Sequence, residues 1–222
     1  MRLTPPRIAK PPFAGPLALF ALAALAASIR PILKLGQSLG DTDDAMRLVQ
    51  VRALLDGRAW YDLIEPRLNP PAGLHVHWSR LVDAPIAALL ALGRAVFGPD
   101  GGETFVRIVW PLLLFAGAGY LIVRMAERTS GRTAAWIAAA LTASCGMLWL
   151  QFEPGRLDHH NVQLLLMAAM MTCAIGFADA RKAGAMGLLA GVSLAVGFES
   201  LPVIAWAGAL AAAFYLFTEN GA

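Results

Sequence analysis

The run Ala84-Pro-Ile-Ala-Ala-Leu-Leu-Ala-Leu-Gly-Arg-Ala-Val-Phe-Gly98 decides how the rest of the chain is read. It is apolar, but it is fifteen residues long and carries Arg94 in its body. A bilayer core needs about 20 apolar residues per helix, with roughly 17 as a lower limit. Six other runs come near that length: Pro12–Ile29, Phe105–Val123, Thr133–Leu150, Val162–Ala178, Ala183–Phe198 and Leu201–Phe217. Loop charge arbitrates, because cytoplasmic loops carry the excess of Lys and Arg. The N-terminus, with Arg2, Arg7 and Lys10, is basic and is placed inside. If 84–98 does not cross, two further basic loops also fall inside: Arg124 to Arg132, and Asp179-Ala-Arg181-Lys182. If it does cross, both fall outside, against the rule. The run is therefore read as an amphipathic or re-entrant helix at the outer surface.

Composition agrees. Of 222 residues 58% are hydrophobic and 15% charged, and the mean hydropathy is +0.59. A soluble domain carries about a quarter charged residues, so the expectation is an all-α, polytopic transmembrane protein of about six spans, with residues 1–222 as a single transmembrane domain. The net charge of +3 comes from short basic clusters between apolar runs. These are topology signals rather than a nucleic-acid surface. Cys145 and Cys173 both lie inside apolar runs and read as small buried hydrophobes, not as a disulfide framework. The first run lacks a clear small-residue cleavage site and reads as a retained anchor in a bacterial inner membrane.

The consequence is a large outer loop over residues 30–104, which holds nine of the fifteen acidic residues. A loop of this length is not structureless in a compact domain. Thr42 to Leu55 reads as a helix, with Met46, Val49 and Ala53 on one face, Asp43 and Arg47 on another, and Gly57 as its stop. Asn69-Pro-Pro-Ala-Gly73 breaks regular structure, and His75 to Asp83 has the Trp-bearing look of an interfacial segment. In the fifth run, Gly184, Gly187 and Gly191 form a stripe that admits close helix approach.

Two polar stretches fall on this outer face. In Gly40-Asp-Thr-Asp-Asp-Ala-Met-Arg47, Asp41 suits an N-cap and Asp44 the third helical position, with Arg47 pairing to Asp43 or Asp44 along the helix. The same carboxylates suit a hard cation such as Mg²⁺ or Mn²⁺ shared with a substrate phosphate. In Glu153-Pro-Gly-Arg-Leu-Asp-His-His-Asn161, Asp158 suits a cap for the fourth span, and Arg156 can fork onto a phosphate oxygen. Arg80 is a second candidate phosphate ligand. Glu199 is a third polar point on that face. A zinc site from His75, His77, His159 and His160 fits no common spacing. Trp60, Tyr61 and Trp78 read as an interfacial aromatic belt.

The order of these features resembles the N-terminal part of GT-C-fold glycosyltransferases, and is most similar to the catalytic subunit of oligosaccharyltransferases. The likeness rests on one span, then a long outer loop opening with the acidic motif at 41–44 and the segment Gly57-Arg-Ala-Trp-Tyr61. A span pair follows, then Gly155-Arg-Leu-Asp-His-His-Asn161 at the head of the fourth span. The resemblance implies transfer of a sugar from a polyprenyl-(pyro)phosphate carrier to an acceptor at the outer membrane face, assisted by a divalent metal (Mg or Mn). It implies Asp43 and Asp44 as catalytic, and Asp44, Asp158 and His160 as metal ligands, with His160 standing where that family often has a carboxylate. The family continues with further spans, so the chain reads as the N-terminal part of a longer protein. The competing expectation is a transporter or permease component, which would put its ionisable residues at the bilayer midplane.

Overall fold

The computed structural model describes residues 14–36, 40–176 and 178–219. The readings placed on Arg2, Arg7, Lys10 and Pro12, and on Phe177, lie outside the described residues. The fold is all-α apart from one two-stranded ribbon. Its helices are α1 (Ala14–Lys34), α2 (Thr42–Leu55), α3 (Arg80–Ser130), α4 (Arg132–Ser144), α5 (Gly146–Phe152), α6 (His160–Ala174), α7 (Ala180–Val196) and α8 (Leu201–Glu219). Between α2 and α3, β1 (Ile64–Glu65) pairs antiparallel with β2 (Leu74–His75).

The run that opened the reading forms the first arm of α3. At Gly98 the backbone leaves helical geometry (φ 76°, ψ 178°), a left-handed φ that suits glycine before Pro99. In one straight helix Gly93 and Gly102 would lie about 13 Å apart along the axis. Here a Cβ on Gly93 would sit 3.0 Å from the Cα of Gly102. Residues 80–97 and 99–130 are therefore two arms folded against each other, closed further by Phe97 on Phe105 with ring centroids 5.5 Å apart. The short arm does not extend the long one.

Among the described residues two helices are long and apolar enough to cross a membrane, α1 and α3, and α4 with α5 makes a third if that bent pair is one span. The expected third run, Thr133–Leu150, is interrupted. Cys145 is extended (φ −73°, ψ 97°) and the axes of α4 and α5 differ by 66°. Cys145 is consequently exposed at the bend rather than buried. α6, α7 and α8 coincide with the last three apolar runs but are short, at 15, 17 and 19 residues. The Gly184, Gly187 and Gly191 stripe meets no neighbour among the described residues, since a Cβ at each would find open space.

The core is aromatic where the long helices meet. Phe115 of α3 packs against Phe20 of α1 (centroids 4.8 Å apart), Trp149 (5.4 Å) and Phe152 (5.1 Å) of α5. Large apolar side chains also face outward, among them Leu22, Leu33, Leu188 and Phe217, each at least two-thirds exposed. Apolar exposure on this scale suits a lipid-facing surface.

α2 occupies the expected Thr42–Leu55, with Asp41 as N-cap in a reciprocal capping box with Asp44, and it stops before Gly57 (φ 94°). The face of Met46, Val49 and Ala53 is not the one most deeply buried. The buried face is Asp44, Arg47, Leu48, Gln50 and Val51, while Met46 and Val49 are only half-buried. Burying charged groups is tolerated when partners meet them, and they do here. Arg52, on the flank, clamps α2 to the long arm of α3 through Glu103 (Nε–Oε1 2.7 Å). The segment read as interfacial, His75 to Asp83, instead leaves β2 extended and turns into α3 at the N-cap Ser79.

The tight crossing of the α3 arms gives a test. A Cβ on Gly102 would lie 2.5 Å from the backbone nitrogen of Arg94. Gly102→Ala is expected to destabilise the protein by about 1–3 kcal/mol, read as a lower unfolding midpoint in detergent. Gly184→Ala, in open space, is expected to be neutral or slightly stabilising.

Candidate functional site

The polar stretches meet at one end of the helices. Asp44 is 2% exposed, and its carboxylate is the joint. Oδ1 accepts the backbone N–H groups of Leu157 (2.7 Å) and Asp158 (3.0 Å). Oδ2 accepts Arg156 Nη1 (2.8 Å) and, closing the capping box, the N–H of Asp41 (3.3 Å). Arg156 also pairs with Asp41. A carboxylate offers about four acceptor positions, and all four are taken. Burial pushes the Asp44 carboxyl up to about 6, against the Leu157 N–H and the Arg156 guanidinium, and it remains ionised at neutral pH. Asp44 therefore has no acceptor position left over for the metal ion expected of it.

Arg47 is the second joint, fully buried. It does not pair along its own helix. Nη1 donates to Asp83 Oδ1 (2.8 Å), Nη2 lies 3.6 Å from Asp158 Oδ1, and the guanidinium stacks over Trp78, 4.3 Å from the ring centroid. Trp78 thus belongs to this cluster. Asp83 Oδ2 accepts from Arg80 Nη1 (3.0 Å). The other donors of Arg80 hold backbone carbonyls: Nε on Trp60, Nη1 on Gln50 and Nη2 on Asp62. With its fork occupied and only 4% exposed, Arg80 fastens the outer loop and presents nothing to a phosphate.

Asp158 is not a cap. The N-cap of α6 is His159, whose side chain makes no capping hydrogen bond. Asp158 Oδ1 instead accepts His159 Nδ1 (2.6 Å), and His159 Nε2 donates to Glu199 Oε1 (2.7 Å). The hydrogen bond to Asp158, followed by that to Glu199, holds the His159 proton above its ordinary range in spite of burial. Burial pushes Asp158 up, but His159 outweighs it and the carboxyl lies well below its ordinary value. Glu199 is fixed from behind by Gln163 Nε2 (3.2 Å), whose amide also binds the carbonyls of Ser193 and Gly197. The hydroxyl of Ser193 reaches both Gln163 and Ser200.

Asp158, His159 and His160 are the one group of three potential metal ligands among the described residues, with ligand atoms all within 4.8 Å of one another. Asp158 Oδ2 is buried and receives no hydrogen bond, and His160 Nε2 lies 3.3 Å from it. An orphaned carboxylate oxygen beside an accessible imidazole fits a divalent cation. Both nitrogens of His159 already face carboxylates, so it orients Asp158 instead of ligating. His75 and His77 are not part of the group. Asp43 is exposed, forms no ion pair among the described residues, and lines a groove of about 750 Å³ that also includes Met46, His77 and Trp78.

Arg47, Asp83, His159 and the Gln163 network lay outside the expected site. Each side chain is present in the quoted stretches or spans, but a partner of each lies 30 to 112 residues away. Comparisons with family models, with curated proteins and with solved structures returned no match.

The clamp on His159 sets a pH dependence. A histidine whose proton is held in the folded state stabilises fully below about 6.5 and loses that stabilisation as pH rises through the raised value. Asp44 has the same sign, but its loss is centred on the lower window up to about 6. In chelator-treated protein the unfolding midpoint is expected to fall as pH rises above about 6.5, with a smaller fall in Glu199→Gln. An equal fall in both proteins would contradict the clamp.

Proposed function

We propose that the chain is a membrane-integrated glycosyltransferase of the GT-C type. It transfers a sugar or oligosaccharide from a polyprenyl-(pyro)phosphate carrier to an acceptor at the outer face of a bacterial inner membrane. The observation that carries this reading is the convergence of the Asp41–Arg47 and Arg156–His160 stretches through Asp44, with Asp158 and His160 left to ligate. In this proposal α6, α7 and α8 cross the membrane with α1, α3 and the α4–α5 pair, giving six spans and a cytoplasmic N-terminus. The folding back of α3 at Gly98 supports this count, because the arm over 80–97 then need not cross.

Asp158 Oδ2 and His160 hold a divalent metal, Mn²⁺ or Mg²⁺, and the imidazole donor favours a transition ion. Bound there, the ion supplies positive charge against the phosphate leaving group. The chain's own residues do the rest. Asp44 fixes the Leu157 and Asp158 backbone, and His159 with Glu199 aims the Asp158 carboxylate. Asp43, exposed at the edge of the groove, is the carboxylate available to accept a proton from the acceptor. A transporter is less well supported, because the buried charges gather at one end of the helices rather than along a mid-span path.

Mn²⁺ titration of the purified protein, followed by transfer assays with a radiolabelled polyprenyl-pyrophosphate sugar, tests the proposal. Asp158→Ala and His160→Ala are each expected to weaken Mn²⁺ binding by at least about tenfold and to abolish transfer. Wild-type Mn²⁺ affinity in both variants would remove the metal assignment.

A further inference from the structure

A second cavity of about 480 Å³ lies beside the acidic joint and does not include Asp158, His159 or His160. Four cations line it. Arg30 and Lys34 come from the last turns of α1, Arg107 from the long arm of α3, and Arg156 from the loop before α6. Glu153 is the one acidic side chain in the wall. Arg30 and Lys34 are four residues apart, so they share a helix face. Both are exposed, and neither forms an ion pair among the described residues.

The wall is fastened by contacts that leave these charges in place. Arg107 Nη1 donates to the carbonyl of Leu35 (2.9 Å), and the N–H of Gly155 donates to the carbonyl of Arg107 (2.7 Å). Those two bonds tie the end of α1, the arm of α3 and the 153–156 loop around one space. Gly155 has φ 113°, a conformation that side chains rarely adopt, so the loop is shaped for this turn. Arg156 is anchored by Asp41 and Asp44 through Nη1, while its Nε is buried without a hydrogen-bond partner.

Cations at helix ends near a membrane usually run along the lipid surface. Here two of the four are brought from other elements to face the same space. Asp41 and Asp44 already compensate Arg156, so the positive charge that favours an anion in this space is chiefly that of Arg30 and Lys34. Three guanidinium groups and an ammonium suit the oxygens of a phosphate better than a single carboxylate. The volume is also within the range of small-ligand sites.

We propose that this cavity binds a phosphate group, held by Arg30 and Lys34 on one side and Arg107 and Arg156 on the other. Three sources share that chemistry: a polyprenyl phosphate, a membrane phospholipid headgroup, and free phosphate. The choice of a polyprenyl carrier rests on the glycosyl-transfer reading; the anion site itself does not. Because Arg156 also holds Asp44, an occupant of this cavity touches the same guanidinium that orders the Asp158 loop.

The test uses the full chain, delipidated in a neutral detergent, with unfolding midpoints followed during titration by inorganic phosphate, a short-chain phosphatidylglycerol and farnesyl phosphate. Sodium chloride at matched ionic strength is the control. A saturable rise is expected with at least one phosphate ligand. The apparent Kd is expected to weaken about tenfold or more in the double variant Arg30→Gln/Lys34→Gln, whose side chains are exposed. Arg128→Gln/Arg181→Gln, at the far ends of α3 and α7, is expected to bind as wild type. Tightest binding of farnesyl phosphate identifies a polyprenyl carrier, of phosphatidylglycerol a phospholipid, and equal binding of inorganic phosphate a free anion. No rise beyond the chloride control, or an unchanged Kd in the α1 double variant, overturns the proposal. Asp158→Ala is expected to keep phosphate binding, which separates failure here from failure of the transferase reading.

Discussion

The Asp44 carboxylate joins two parts of the chain more than a hundred residues apart. One oxygen receives consecutive backbone N–H groups, Leu157 and Asp158, and the other receives Arg156. A buried carboxylate is costly unless every lone pair is met, and here donors come from the loop it must hold. The same group closes the capping box of α2. Helix start, loop conformation and relative placement of the two stretches thus depend on one side chain. If it is removed, Arg156, Leu157 and Asp158 lose a common partner, and the Asp158 carboxylate loses its fixed backbone.

Around that joint the charges form layers. Arg47 lies innermost, sandwiched between the Trp78 ring and the carboxylates of Asp83 and Asp158. His159 forms the next layer, bridging Asp158 to Glu199, and Gln163 with Ser193 secures Glu199 from α6 and α7. Replacing one partner of such a buried pair leaves an uncompensated charge and costs roughly 3–5 kcal/mol. Apolar residues of similar volume often serve stability as well or better. Retaining ionised groups here therefore makes sense for a site that needs a shaped field, with one carboxylate oxygen of Asp158 left open.

Local signals in the sequence carried much of this arrangement. The capping box at Asp41 and Asp44, the extent of α2 and the short 84–98 arm follow from spacing, glycine and proline placement, and run length. The meeting of the two polar stretches followed from loop charge alone. What was not legible depended on distant partners. Periodicity put Met46 and Val49 on one face of α2 and Arg47 on another, but which face is buried was decided by Asp83 and Trp78, which meet Arg47. Arg80 looked available for phosphate because nothing in its neighbourhood announces that the carbonyls of Gln50, Trp60 and Asp62 fold back onto it. The break at Cys145 was hidden because Ser144-Cys145-Gly146 is apolar enough to pass as continuous helix.

The central claim is that Asp44 and Arg156 act as one unit that assembles the site. A double-mutant cycle on Asp44→Asn and Arg156→Gln, with unfolding free energies measured in mixed micelles, tests it most directly. Residues in one hydrogen-bonded network show coupling of about 0.5–3 kcal/mol, whereas independent sites add within about 0.3–0.5 kcal/mol. The account predicts coupling of at least about 1 kcal/mol, by the same scale. Additive losses would contradict it.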